Sequence, residues 1–461
     1  MQISRYSAPE FDPYGDNRPE ESTELWAAPV ASEPIVAAVK LPGSKSLTNR
    51  ELVLSALADA PSLLRRPLHS RDSALMVQAL RSLGTRIVEV DGEGPDPDLL
   101  VTPGELLGST TIDCGLAGTV MRFLPPLAGL ALGPTTFDGD EGARIRPMAA
   151  TIGSLRDLGV DIDDNGRAVL PFTVHGTGRI AGGDVSIDAS SSSQFVSGLL
   201  LAAARFDDGL HLRHSGERLP SQPHIEMTIA ALAARGVLVE EPAVGEWIVA
   251  PGAIAGREVD IEPDLSNAAP FLAAALVTRG SVTIPDWPEQ TTQVGDELLR
   301  LLPLFGATVI RDGSLVTVRG GDRILPVELH LPEAGELAPN LVALAALANG
   351  TSTITGIGHI RHHETDRLAA LAAEINGLGG RVTELDDGLM IEPAPLHGGV
   401  WRSYADHRTA TSGAIIGLAV PGVDVHDIGS TAKTLPAFPQ LWHEMLHGAP
   451  ATQFEPFSLT L

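Results

Sequence analysis

The stretch Leu41-Pro-Gly-Ser-Lys-Ser-Leu-Thr-Asn-Arg50, continuing as ELVLSALA over residues 51–58, sets the pattern for the whole chain. A polar opening headed by Ser44 runs straight into an apolar segment of helical length. Serine at such a place caps a helix, because its hydroxyl accepts from the free N–H groups of the first turn. The same design returns near Gly118, Ser192, Ser266, Glu336 and Asp406, at spacings of 74, 74, 74, 70 and 70 residues. The apolar runs behind these openings include TVMRFLPPLAGLAL (119–132), SQFVSGLLLAAA (193–204), NAAPFLAAALV (267–277), LAPNLVALAALA (337–348) and ATSGAIIGLAV (410–420). A second helical pattern recurs behind the first and ends at Gly84, Gly159, Gly236, Gly306 or Gly379, each leading into an alternating, strand-like segment. Glycine just past a helix ends it in the left-handed conformation at no steric cost.

Each unit therefore reads as helix–strand–helix–strand with a further strand, about 70 residues long, which is the periodicity of a repeat architecture. Six units exceed one core, so the expected fold is α/β with two globular domains of three units each. Residues 1–34 carry seven acids and two bases without a period, and are expected to form a largely disordered extension. Domain 1 is expected to comprise residues 35–41 and 263–461, and domain 2 residues 42–262, with crossings near Val39–Leu41 and Glu262–Pro263. A cleft between domains is where ligand sites tend to lie.

Composition narrows the class of function. The 461 residues hold 58 acids and 32 bases, a net charge of −26, so a broad basic face for nucleic acid or anionic membrane is not expected. Small anionic ligands in a focused basic pocket remain open. The single cysteine, Cys114, excludes an intramolecular disulfide framework and a multi-cysteine metal site. No apolar run reaches the roughly 18 residues of a membrane span, and the first 40 residues lack a signal-peptide design, so a cytoplasmic location is expected. Of the 32 bases only Lys40, Lys45 and Lys433 are lysines. Their retention is either accidental or marks places where a compact, titratable ammonium is needed.

The openings carry the candidate chemistry. Around Lys45, Ser46 and Arg50 a helix start offers N–H groups, a hydroxyl and positive charge, a favourable place for an anion, although an ordinary capped helix reads the same way. The spacing of Gly43 and Lys45 is not that of a P-loop. Gly118 and Thr119 open the second run, and Arg144 and Arg146 downstream share a face if that stretch is extended, so both could reach one anion. Ser190 to Ser193 with Gln194 place hydroxyls and an amide at a third helix start; a flexible serine linker is the weaker reading, because an apolar helix follows directly and Gln194 adds a directional donor. Glu336 and Asp406-His407-Arg408 bring carboxylates, with HIRHHETDR (359–367) between them. His362 and His363 are adjacent and no HExxH follows, so no metal site is expected. Glu364 and Arg367 share a face on a helix, as a site pair or a surface salt bridge.

Taken together, LPGSKSLTNR, LAGTVMR, RIRP, SSQF, HETDR, ADHR and TAKTLP, in that order over residues 36–445, resemble the 5-enolpyruvylshikimate-3-phosphate (EPSP) synthase family of enolpyruvyl transferases. The resemblance implies two domains of three βαβαββ-type units (an inverse α/β prism) with the active site between them. It implies transfer of the enolpyruvyl group of phosphoenolpyruvate to the 5-hydroxyl of shikimate 3-phosphate with release of phosphate, a step towards chorismate and the aromatic amino acids. No cofactor or metal, and no nucleic-acid or membrane partner, is implied; a monomer is expected. Shikimate 3-phosphate would meet Lys45, Ser46, Arg50, Ser192, Ser193, Gln194, Ser221, Glu336, His359 and His363. Phosphoenolpyruvate would lie among Lys45, Gly118, Arg146, Gln194, Arg367, Arg408 and Lys433. Glu336 matches the general-base position, usually aspartate. Glu364 and Lys433 match residues that move protons at the phosphoenolpyruvate methylene, and Lys45 joins them as catalytic.

Several positions depart from the family's pattern. Leu116 stands where many members have Asn, Phe123 where many have Pro, His224 where Tyr is frequent, and His363 where Lys is frequent. Gly118 leaves room beside the phosphoenolpyruvate position, so glyphosate sensitivity is expected. The alternatives are a sister transferase acting on UDP-N-acetylglucosamine, or a non-catalytic anion-binding relative. The first would carry a cysteine in the loop GDEGARIRP (139–147), which has none, and the second would have lost Glu336, Glu364 or Lys433.

Overall fold

A computed structural model describes residues 25–92 and 96–448. The described residues form two cores of apolar side chains. One gathers Ala28, Ile35, Val39, Leu41 and residues from Leu265 to Met445, the other residues from Leu52 to Ile254. Each core is wrapped by three small sheets. In the sheet built on Thr110–Asp113, Leu132–Asp138, Asp161–Asp163 and Phe172–Thr177, the first two strands run parallel and the last two close it as an antiparallel hairpin. The sheets built on Gly183–Ile187 and on Glu328–His330 repeat this order. A parallel pair needs a crossover, and a helix supplies it each time.

Those crossover helices occupy the middle of each domain. All 13 residues of Gly118–Leu130 are buried, as are nearly all of Gln194–Ala203, Ala268–Thr278, Ala338–Ala346 and His407–Ala419. A helix that is apolar all round belongs inside, and each fully buried leucine contributes about 1.5–3 kcal/mol relative to exposure. The inner helices pack on one another within each domain. Gly198 permits this at the contact of Gln194–Ala203 with Gly118–Leu130, because a Cβ there would collide with the Arg122 carbonyl. The outer helices end as the spacing predicts: Gly84, Gly159, Gly236, Gly306 and Gly379 all have φ between 82° and 100°.

Two segments join the domains. Ser44 N–H donates to the Glu262 carbonyl at 2.7 Å and Asp264 N–H to the Pro42 carbonyl at 2.9 Å, so the outgoing and returning chains lie side by side. The strand before each crossing pairs in the domain the chain is leaving, Val36–Ala38 beside Ser281–Ile284 and Glu258–Asp260 beside Ser62–Arg65.

Two expectations need correction. The stretch 25–34 is not a loose extension: Leu25–Ala27 pairs antiparallel with Val423–His426, and Ala28 is buried. Among the described residues the last unit contributes the parallel pair Gly399–Arg402 and Val423–His426, and this N-terminal strand adds the third strand of its sheet. Residues 1–24 lie outside the described residues. The run before Gly306 is also not one helix but a 3₁₀ turn, a single α turn and a second 3₁₀ turn, with Pro303 in the last. No helix among the described residues is long and apolar enough to cross a membrane.

Candidate active site

The helix starts of the two domains face each other across one cleft. Its first wall carries Lys45, Ser46, Arg50, Arg146, Ser192, Ser193, Gln194 and Ser221; its second carries Glu336, His359, His363, Glu364, Arg367 and Arg408. Gly118 and Lys433, the remaining expected residues, sit directly behind this lining. A Cβ on Gly118 would lie 2.8 Å from Gln194 Oε1, 2.9 Å from Arg122 Nη1 and 3.0 Å from Arg146 Nη2. The glycine is therefore the floor under three converging polar groups.

On the first wall, Ser44 caps the helix Lys45–Ala56, accepting from Leu47 N–H at 3.5 Å. Lys45 opens that helix with its backbone N–H on Asp264 Oδ2 at 3.2 Å, and its ammonium lies 3.6 Å from the buried Asp72. Arg50, one turn on, is 1% exposed. Its guanidinium donates to the Ser46 carbonyl at 2.9 Å, to Thr228 Oγ1 at 2.8 Å and to the His224 carbonyl at 2.8 Å. Burial lowers Arg50 to about 9, with the Glu336 charge opposing the fall. Arg146 donates to the Leu116 carbonyl at 3.0 Å.

On the second wall the carboxylates organise the cations. Asp406 caps the helix His407–Ala419, accepting from Arg408 N–H at 2.7 Å, and also receives Arg367 Nε at 2.7 Å. Arg367 donates in addition to Glu364 Oε2 at 2.9 Å and meets His363 Nδ1 at 3.0 Å. The other Glu364 oxygen accepts a short hydrogen bond from the Lys433 ammonium. Burial pushes Glu364 upward, but Lys433, Arg367 and Arg146 together hold its carboxyl well below the usual range. Burial lowers the Lys433 ammonium, against the pull of Glu364. Burial likewise lowers His359 to about 4, and takes His363, beside Arg367, well below the ordinary imidazole value, so both rings are neutral at pH 7.

Glu336 stands across from Arg50. Its Oε1 accepts a short hydrogen bond from Ser266 Oγ, and Oε2 lies 3.3 Å from His224 Nε2. Burial alone would raise this carboxyl; His224, Arg408 and Ser266 outweigh it and keep it ionised far below the ordinary range.

The Arg144 and Arg146 expectation fails. Glu141–Arg144 is a single helical turn, which rotates Arg144 away; it forms a two-point ion pair with Asp138 at 2.8 and 2.9 Å, while only Arg146 faces the cleft. Glu364 and Arg367 meet as expected but not on a helix, since the helix Arg367–Gly377 starts after Glu364, with Asp366 as its cap. Residue-type reasoning did not single out Arg122, Asp72 or Asp264. Arg122 is 2% exposed, its Nε has no hydrogen-bond partner among the described residues, and burial lowers its pKa far below the usual value, with Arg146 adding repulsion. The signal was available, because Arg122 stands four residues after Gly118 on the same helix face. No group of three or more His, Cys, Asp or Glu among the described residues is placed to hold a metal ion.

The fold that frames this cleft, two cores each wrapped by three small sheets, is shared with solved structures. The fold matches an EPSP synthase from Acinetobacter baumannii with a TM-score of 0.72 at 24% identity, covering 90% of this chain and 97% of that one. It matches the enolpyruvyl transferase NikO from Streptomyces tendae with a TM-score of 0.71 at 18% identity, covering 90% and 96%. In sequence, the chain is 57% identical over 430 residues to a 3-phosphoshikimate 1-carboxyvinyltransferase of Kocuria rhizophila, covering 92% of this chain and 97% of the relative. The family model for EPSP synthase (3-phosphoshikimate 1-carboxyvinyltransferase) matches residues 30–442, and the chain belongs to that family.

Proposed function

We propose that this cleft joins phosphoenolpyruvate to shikimate 3-phosphate with the residues assigned below. The chain is an enolpyruvyl transferase: it transfers the enolpyruvyl group to the 5-hydroxyl of shikimate 3-phosphate and releases phosphate, as the family does. In this reading Arg50 and Ser46 hold the acceptor's carboxylate, and Ser192, Ser193 and Ser221 its phosphate. Lys45, Gln194, His359 and His363 complete its surroundings. Phosphoenolpyruvate lies over Gly118, with Lys45, Arg146 and Gln194 towards its phosphate and Arg367, Arg408 and Lys433 towards its carboxylate. Two anions that repel in water are thereby brought to near-attack distance by charges already in place.

The steps balance as addition followed by elimination. Lys433 gives a proton to C3 of phosphoenolpyruvate, which becomes a methyl group and leaves C2 electron-poor. The 5-oxygen bonds to C2 as its proton passes to Glu336. The C2–O bond to phosphate then breaks, phosphate leaves with the electron pair and takes up the proton that Glu336 accepted, and loss of a methyl proton back to Lys433 restores the double bond. A buried ammonium with a lowered pKa is a stronger acid than an exposed one, which suits Lys433 to both transfers. Glu364 stays ionised, holds Lys433 in place and faces the positive charge that develops at C2. The reading is completed by a monomeric, cytoplasmic protein with small anionic substrates as its partners.

The observation that carries the reading is that Glu336 and the Lys433–Glu364 pair share one cleft with the cations of both walls. Phosphate release from phosphoenolpyruvate, with shikimate 3-phosphate or UDP-N-acetylglucosamine as acceptor, tests it. Release only with shikimate 3-phosphate, falling by about 10²–10⁴ in Glu336→Ala, is expected for loss of a general base. Release with the nucleotide sugar, or an unimpaired mutant, would overturn it.

A further inference from the structure

Among the described residues, His224 is the one that hydrogen-bonds both Arg50 on one wall and Glu336 on the other. Its backbone carbonyl accepts from Arg50 Nη2 at 2.8 Å, from Thr228 Oγ1 at 3.0 Å and from Ser197 Oγ at 3.3 Å. Its ring nitrogen Nε2 lies 3.3 Å from Glu336 Oε2, across the gap between domains. The ring is 18% exposed, so the contact is largely shielded from water.

The segment that carries His224 is docked in step against the segment that carries Glu336. Ser221 N–H donates to the Pro332 carbonyl at 3.4 Å, and Gln222 N–H to Glu333 Oε2 at 2.6 Å. The His224–Glu336 contact is the third in this row. Ser221 itself takes the left-handed conformation at φ 54°, an uncommon state for a residue with a side chain, and the docking holds it there. The turn is therefore built to bring the ring of His224 to Glu336.

The arrangement constrains how the carboxylate can point. Ser266 Oγ fixes Oε1 from Glu336's own domain. With that contact alone the carboxylate could still swing about its side-chain torsions, because a glutamate has one more rotatable bond than an aspartate. A donor on Oε2 from the opposite wall removes this freedom and leaves the remaining lone pairs facing the cleft. Positional errors of about 1 Å cost of order 10²-fold in rate at a reacting centre.

We propose that His224 is a positioning residue for the reaction: its ring orients the Glu336 carboxylate while its backbone carbonyl holds Arg50, so the acceptor-binding group and the base are set by one residue. This rests on the proposed function, in which Glu336 is the base. The ring acts on catalysis, whereas the backbone carbonyl, which any residue retains, acts on binding. Side-chain substitution should therefore separate kcat from affinity.

The test uses the full chain with His224→Phe, which keeps a ring but has no donor, and His224→Gln, which restores an N–H of similar reach. Steady-state phosphate release, calorimetric binding of shikimate 3-phosphate and thermal unfolding are measured for each. His224→Phe is expected to lose about 10- to 100-fold in kcat while binding shikimate 3-phosphate within about threefold of the wild type. His224→Gln should recover most of the loss. In a Glu336→Gln background, where the base is already gone, His224→Phe should lower the residual rate no further. Unchanged kcat in His224→Phe, no recovery in His224→Gln, or a full additional loss in the Glu336→Gln background would each overturn the inference. The wild type is the control for the function itself: failure of that reading appears as no turnover with shikimate 3-phosphate, whereas failure of the His224 inference appears only in the variants.

Discussion

The carbonyl oxygen of Leu116 accepts from Lys433 Nζ at 3.2 Å although 317 residues and the interdomain cleft separate them. The same oxygen accepts from Arg146 at 3.0 Å, so one backbone group sets a cation from each domain. The position of the Lys433 ammonium thus depends on both halves of the molecule. A planar guanidinium fork cannot fill the place of this compact ammonium between Leu116 and Glu364. Lys433→Arg and Lys433→Met are both expected to lower kcat by about 10²–10⁴ with the fold intact. Rapid phosphate-release kinetics with circular dichroism as a folding control decide this; an arginine variant within threefold of the wild type would contradict it.

A side chain on Gly118 would find no free space at its Cβ position. Adding a methyl group pushes on Gln194, Arg122 and Arg146, whose atoms lie 2.8 to 3.0 Å from the Cβ position. Gly118→Ala should raise KM for phosphoenolpyruvate and weaken inhibition by glyphosate, with stability changed by less than about 1 kcal/mol because the crowding is on side-chain ends rather than backbone. Inhibition curves of the two proteins check this. Equal inhibition of both would remove the steric role.

Asp406 does two jobs that substitution can separate. Asn retains the capping acceptor but not the charge that balances Arg367; Ala loses both. Breaking a buried pair of this kind costs about 3–5 kcal/mol, and the cap about 1 kcal/mol. Urea unfolding should place Asp406→Ala below Asp406→Asn by roughly the cap's contribution. Both should lower kcat/KM for phosphoenolpyruvate, since Arg367 loses its anchor. Two variants of equal stability would show that the cap contributes nothing.

Asp164 gives the fold an acid-sensitive element far from the cleft. Its carboxylate receives Arg156 at 2.8 Å and the N–H groups of Gly166 and Ala168 at 3.0 and 2.9 Å, and it is 4% exposed. The Arg156 bond, aided by those two N–H groups, lowers its pKa to about 2. A carboxyl depressed on folding stabilises the native state above its unfolded pKa of about 4, and that stability is lost as the pH falls towards 2. Asp164→Asn should cost about 1–2 kcal/mol at pH 7 and only a few tenths of a kcal/mol at pH 2, where the carboxyl is half protonated, read from urea unfolding at both values. A cost independent of pH would show that the shift is absent.

The architecture was legible where local rules determine it. Ser44 and Asp406 cap helix starts because capping is a matter of neighbouring residues, and the five glycines close their helical segments for the same reason. The expected site residues meet in or directly behind one cleft because each helix start points towards it. What sequence could not supply is what depends on distant partners. Nothing near Arg144 in the expected extended stretch announced that a helical turn would give it to Asp138. Nothing near Arg122 showed that its neighbour would be another arginine rather than a carboxylate. The strand Leu25–Ala27 was hidden in an acidic, aperiodic terminus, since its reason for forming is the incomplete sheet some 400 residues later.

The most direct test of addition followed by elimination in this cleft is turnover of phosphoenolpyruvate and shikimate 3-phosphate in deuterium oxide, with the vinyl protons of the product read by nuclear magnetic resonance. Protonation at C3 creates a methyl group that rotates before one of its hydrogens is removed, so deuterium is expected in the product's methylene group. A product carrying only protium there would mean that C3 is never protonated, and would contradict the roles given to Lys433 and Glu364.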